Sequence, residues 1–351
     1  MQFLNAQELD PYHFNAALEL QQQLDHAHDP ELPVTPAEEL RATFADNASE
    51  NARHERIVAF QNNQAIAMGH LELTQDPANK KLAVLEISPV SSHAAKPVLS
   101  ILLGWARAHG RTSIIASGDC TPEANAFWAA LGADLRYTEQ ESDLHITSVN
   151  AELMANWIAN APEGIKLVNW TGRCPEEHLS ALVATANAMN DAPTDSLELA
   201  DTTHNKATLR ADFEARDACG IDYLGILAIC IDGSAAGATE VFVNRFRPAF
   251  SWQWNTVVLP AHRGRGIGRW MKAAMWQRLR AEAPAVATLR TGNAESNAAM
   301  LAINTEMGFF PSHLTGCWQA HLRDLHTAGA DAREHPVRDS NPCYQIENLA
   351  S

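Results

Sequence analysis

Residues 257–268 read Val-Val-Leu-Pro-Ala-His-Arg-Gly-Arg-Gly-Ile-Gly. Val257, Val258 and Leu259 form the apolar run of a buried strand's end, and Pro260 stops it because proline cannot donate to a sheet ladder. Arg263, Gly264, Arg265, Gly266, Ile267 and Gly268 then lead into an amphipathic helix. Ile267, Met271, Ala274, Met275 and Leu279 lie on one face of it, and Arg269, Lys272, Gln277 and Arg280 on the other. A strand, a glycine-rich turn and a helix start together hold a pyrophosphate. Glycine lets the backbone approach the oxygens, the first helical N–H groups have no internal partner, and the helix dipole favours negative charge.

The spacing excludes the commoner phosphate loops. No Gly-Lys-Ser/Thr follows, so this is not a Walker loop, and Arg263 stands where a dinucleotide fingerprint needs its first glycine. Arg-x-x-Gly-x-Gly behind a strand ending Val-x-Pro resembles the acyl-CoA motif of the GNAT superfamily of N-acyltransferases. A second stretch supports the likeness. Val286–Thr291 reads as a short strand, Asn293 and Asn297 follow, and a helix carrying Met300, Leu301 and Ile303 closes at Met307-Gly308-Phe309. That resembles the second signature of the same superfamily. Asn293 or Asn297 can cap the helix and offer an amide to a pantetheine arm, and Gly308 suits a left-handed C-cap. The two signatures cover roughly residues 220–322.

Composition sets the frame. At 351 residues and 46% hydrophobic, the chain is long enough for two cores. A net charge of −16 disfavours nucleic acid and anionic membranes and is compatible with a cationic small molecule. The six cysteines show no CxxC spacing and read as free thiols in a reducing compartment. Glu8 and Asp10 interrupt the start too early for a signal peptide, and no apolar run approaches the about 18 residues of a membrane span, so the expected location is cytoplasmic. The histidines have no ligand spacing, and no metal is expected.

The chain also repeats itself. Ile226–Ile231, an Asp232-Gly233 turn and a strand through Gly237, Glu240 and Val243 match Ile57–Phe60, a polar turn and a strand through Gly69, Glu72 and Leu73. Ile87-Ser88-Pro89 parallels Val258-Leu259-Pro260, and the stretch from Phe127 to Gly132 parallels the one ending at Gly308. The expected architecture is therefore α/β (α+β), two GNAT-like domains, each a mixed central sheet flanked by helices. The expected limits are residues 1–150 for a degenerate copy, 151–326 for the catalytic one and 327–351 for an irregular tail. In the first copy Ser92 falls opposite Arg263, Ala95 opposite Gly266 and Pro97 opposite Gly268, so its cradle is lost.

The resemblance implies a chemistry. Acetyl-CoA is the co-substrate, held by Arg263, Gly264, Arg265, Gly266, Ile267, Gly268, Asn293 and Asn297. Backbone amides of Val257, Val258 and Leu259, where two strands splay, would polarise the thioester carbonyl. An amine acceptor arrives as ammonium and must lose a proton, and Glu240 is the candidate base. Asp191 and Asp195, in a polar loop after a helix ending about Met189, are candidates for holding the ammonium of a small amine substrate. The tyrosine that many such enzymes place seven residues after Asn297 is Asn304 here, and an amide is no acid. That departure leaves open a non-catalytic acyl-CoA-binding or sensor protein, or transfer to a thiol or peptide.

Overall fold

The computed structural model describes residues 1–46 and 51–326. The stretch 327–351, read above as an irregular tail, lies outside the described residues, as does Cys343. In chain order the first elements are β1 (Gln2–Asn5), α1 (Pro11–His28), α2 (Ala37–Ala45), β2 (Ala52–Gln61), β3 (Gln64–Thr74), β4 (Leu82–Ser88), α3 (Ala95–Ala108), β5 (Ser113–Asp119), α4 (Pro122–Ala130) and β6 (Asp134–His145). There follow α5 (Ala151–Ala159), β7 (Ile165–Thr171), α6 (Leu179–Asn187), α7 (Lys206–Ala218), β8 (Ile221–Cys230) and β9 (Ala235–Asn244). The last are β10 (Phe250–Val258), α8 (Ile267–Glu282), β11 (Thr288–Ala294), α9 (Ala298–Met307) and β12 (Phe310–His321).

Two compact units result. One comprises Met1–Thr138, Asp195–Ala200 and the stretch from Leu314; the other comprises Glu139–Thr194 and Asp201–His313. The first sheet runs β1-β2-β3-β4-β5-β12, antiparallel throughout except for β4 against β5. The second runs β7-β8-β9-β10-β11-β6, antiparallel except for β10 against β11. Five strands recur in the same order with the parallel pair in the same place, which is the repeat visible in the sequence. The sixth strand of each sheet comes from the other half of the sequence. Thr315–His321 of β12 pairs with β5, and Glu139–His145 of β6 pairs with β11. The compact units therefore do not follow a single cut at residue 150.

Alternation along the strands divides the second unit into two cores. On one face, Ile267, Met271, Met275 and Leu279 of α8 and Met154 and Trp157 of α5 pack on Ile226, Val241 and Leu289. On the other, Leu179 and Leu182 of α6 and Leu209 and Phe213 of α7 cover Tyr223, Ala238 and Phe242. The apolar face expected of α8 is the one that is buried. Lys272 corrects the reading of its polar face. It is 1% exposed, with its ammonium 5.3 Å from the centre of the Phe309 ring. Of the described cysteines, Cys120, Cys174, Cys230 and Cys317 are free, and Cys219 is not among them.

Candidate functional site

The turn between β10 and α8 is built for close approach. Gly264 and Gly266 have φ of +76° and +78°, a region that side chains disfavour, and no atom lies within 4 Å of where a Cβ would stand on either. The cradle is open. Gly266 caps α8, whose first internal bond runs from the Trp270 N–H to the Gly266 carbonyl at 3.0 Å, so the amides before Trp270 have no partner inside the helix. Ile267 anchors the helix start in the core. Gly268 is less constrained, since a Cβ there would sit 3.6 Å from Ile303 and 3.7 Å from Val258, ordinary contact distances. These features fit a pyrophosphate. In the first unit the counterpart helix α3 starts at Ala95 behind Ala94, whose φ is −85°, and both alanines are fully buried.

The two cations of the cradle are held from different directions. Arg263 donates from Nε to the Val258 carbonyl at 3.0 Å and from Nη2 to Asp191 at 2.9 Å. Arg265 donates from Nη2 to the Glu163 carbonyl at 3.0 Å and lies 3.3 Å from Nδ1 of His262. Asp191, a candidate for the acceptor amine, is thus the counter-ion of Arg263. Asp195 falls in the segment counted with the first unit.

A fork opens beside this turn. The parallel ladder of β10 and β11 runs only from Phe250 opposite Thr288 to Trp252 opposite Arg290. Beyond it β10 stays on β9 as far as Val258 opposite Gly237, and β11 stays on β6 as far as Ala294 opposite Glu139. A bulge between Gln253 and Thr256 turns β10 away, and the Thr291 hydroxyl bridges the crotch to the Gln253 carbonyl at 3.1 Å. The Leu259 N–H donates to the Ala236 carbonyl at 2.9 Å. By the antiparallel alternation, Val257 then bonds toward β9, while Thr256 and Val258 turn their backbone groups to the fork. On the β11 side, Asn304 is 2% exposed. It donates from Nδ2 to Asn293 Oδ1 at 2.6 Å, and its own Oδ1 is buried without a hydrogen-bond partner. Asn297 caps α9 by accepting from the Met300 N–H at 3.3 Å, and Gly308 closes it with φ +107°.

Glu240 lies on the face covered by α6 and α7, on the β9 stretch opposite the bulge. It is 8% exposed, its carbonyl accepts from Gln253 Nε2 at 2.7 Å, and its carboxylate accepts from the Tyr223 hydroxyl. Burial and the Glu240 charge push the Cys174 thiol up to about 12, so it stays neutral. Around the pair stand Trp170, Phe213, Phe242 and Trp254, with the Arg216 guanidinium 4.3 Å above Phe242. Tyr223 was not found from the sequence. The hairpin at Asp232-Gly233 places β8 beside β9, but the register shift between Ala228 and Ile229, which no sequence pattern marks, decides that Tyr223 shares the face of Glu240. In the first unit the matching Glu72 faces His54, with Oε2 3.8 Å from Nδ1. Burial drives the His54 imidazole well below its ordinary range.

A family model described as the acetyltransferase (GNAT) family matches residues 187–309. That match spans the cradle, the fork and Glu240. Residues 187–309 are therefore similar to a GNAT-family acetyltransferase domain. Among solved structures, a tandem GNAT protein from the clavulanic acid biosynthesis pathway aligns over 94% of this chain and 99% of its own. Its TM-score is 0.75 at 22% identity. A GCN5-related N-acetyltransferase from Sphaerobacter thermophilus aligns over 91% and 96%, with a TM-score of 0.59 at 14% identity. These likenesses establish the tandem GNAT fold. No curated protein matches the chain by sequence. The GNAT family transfers acyl groups from acyl-CoA and takes small-molecule substrates. No helix among the described residues is long and apolar enough to cross a membrane.

Proposed function

We propose that the second unit is an acetyl-CoA-dependent N-acetyltransferase acting in the cytoplasm on the amine of a small molecule. The observation that carries this reading is the continuity of an open glycine cradle with a fork between two strands and a buried carboxylate beside it. The amides of residues 264–268 take the pyrophosphate, with Arg263 and Arg265 as its cations. Asn293 and Asn297 border the path of the pantetheine arm. Backbone N–H groups on the β10 bank of the fork polarise the thioester carbonyl and hold its oxyanion, with Val258 and Thr256 better directed than Val257. Glu240 accepts the proton of the ammonium. The freed amine forms the C–N bond, the C–S bond breaks, and CoA leaves as thiolate, to be protonated by solvent. A chain of net charge −16 favours a cationic acceptor.

The test is a screen of amines and aminoglycosides with acetyl-CoA, following free thiol. Glu240→Gln keeps the shape and removes the base, so it should slow turnover by roughly 10²–10⁴-fold with CoA affinity unchanged. Asn304 favours a second reading, a protein that binds acyl-CoA without transfer. CoA binding with no turnover on any amine would select it.

A further inference from the structure

Tyr223 and Glu240 form a titratable pair in which only the carboxylate has a task so far. Tyr223 is 5% exposed and fixed on three sides. Phe213 meets it edge-on at 5.0 Å, Trp170 stacks at 6.2 Å, and Phe242 lies tilted at 5.3 Å between ring centres. The phenol cannot swing away, and its hydroxyl donates to Oε1 of Glu240.

The surroundings make that donor consequential. Tyr223 comes from β8, Cys174 from the segment before α6, and Arg216 stands over Phe242 from α7. Glu176 and Glu177 act on Cys174 from the same segment. The neutral thiol adds no compensating charge. A carboxyl group buried among aromatic rings tends to take up a proton, and a hydrogen bond to its charged form opposes this. A carboxyl group already protonated accepts nothing from an ammonium ion.

We propose that Tyr223 is the positioning residue for Glu240, its hydroxyl keeping the carboxylate ionised and fixed on the sheet face beneath α6 and α7, without touching the acyl donor. This rests on the reading of Glu240 as the base.

The experiment is an infrared pH titration of the full chain, in which the difference between parent and Glu240→Gln isolates the Glu240 carboxyl band. Tyr223→Phe should raise the midpoint of that band by about one pH unit or more. An unmoved midpoint overturns the proposal. If Tyr223→Phe does not fold, 3-fluorotyrosine in place of all tyrosines keeps the ring and strengthens the donor. The midpoint should then fall, and an unmoved one again overturns the proposal. In turnover with acetyl-CoA and the amine the screen selects, Tyr223→Phe should carry the acidic limb of the rate profile upward. Its alkaline plateau should stay within about threefold, and calorimetric CoA affinity should be unchanged; a uniform loss at every pH marks a structural role and overturns the proposal. If Glu240→Gln retains the acidic limb, the base is elsewhere. The base reading then fails, and with it the catalytic meaning of the pair, even where the infrared shift is found.

Discussion

Lys272 carries its charge into the core of the second unit, where its ammonium stands over the Phe309 ring, and burial drives its amine down to about 7. The folded value lies below the unfolded one, so the unfolded chain binds the extra proton between about pH 7 and 10.5. The penalty is full below pH 7 and fades as pH rises through that window. Lys272→Met should therefore stabilise the protein at pH 6 by on the order of a few kcal/mol, and by much less at pH 10. Urea unfolding at both pH values measures this, and a parent as stable as the variant at pH 6 contradicts it. Asn304 is a different case. Its Nδ2 bond to Asn293 is one hydrogen bond, and an amide supplies no proton to a thiolate. Asn304→Ala should leave turnover within about an order of magnitude, because such a bond is worth ~1 kcal/mol. A hundredfold loss with CoA affinity intact would show that the amide serves the reaction directly.

At the scale of elements, the cradle is a competition for Arg263. Asp191 holds that guanidinium at 2.9 Å in a half-exposed pair, and a pyrophosphate arriving on the 264–268 amides must share it or take it. Asp191→Asn should tighten CoA binding several-fold, the gain shrinking with salt and vanishing when Arg263 is alanine. Calorimetry with CoA reads both variants. The same titration should return one site per chain, because α3 starts on buried alanines where α8 starts on open glycines. Two equal sites would contradict that. This part of the molecule was legible because glycine spacing, proline and helix periodicity are local. The partner of Glu240 was not. A bulge where the β8–β9 register shifts between Ala228 and Ile229 sets Gly225, not Leu224, opposite Glu240. That one-residue slip brings Tyr223 to the same face as the carboxylate. Lys272 escaped for a related reason. Periodicity places a residue on a helix side, but only the packing of Phe309 above it decides whether that side meets water. Asp191 ends a short 3-10 turn, Ala188–Asp191, and its partner, Arg263, is far away in sequence, so no local pattern marks such a pair.

For the molecule as a whole, the exchanged strands decide what can be cut. A fragment 151–326 lacks β6, so β11 loses its ladder and the buried Arg290 loses the Asp143 carboxylate that holds it at 2.6 and 2.7 Å. Stranding a buried charge typically costs about 3–5 kcal/mol. A fragment 139–313 keeps both. It should unfold cooperatively in urea where 151–326 should not, and equal transitions would show that β6 is dispensable to the sheet. The same exchange has a consequence for a chain still leaving the ribosome. The second unit has its last strand waiting when β11 emerges, because β6 was made long before. The first unit, begun earliest, must hold the edge of β5 unpaired from Asp119 until Thr315 and the rest of β12 appear. At typical synthesis rates that is roughly 10–40 s. The half translated first is the half completed last, and through that interval its open edge is the segment a nascent-chain chaperone would have to shield.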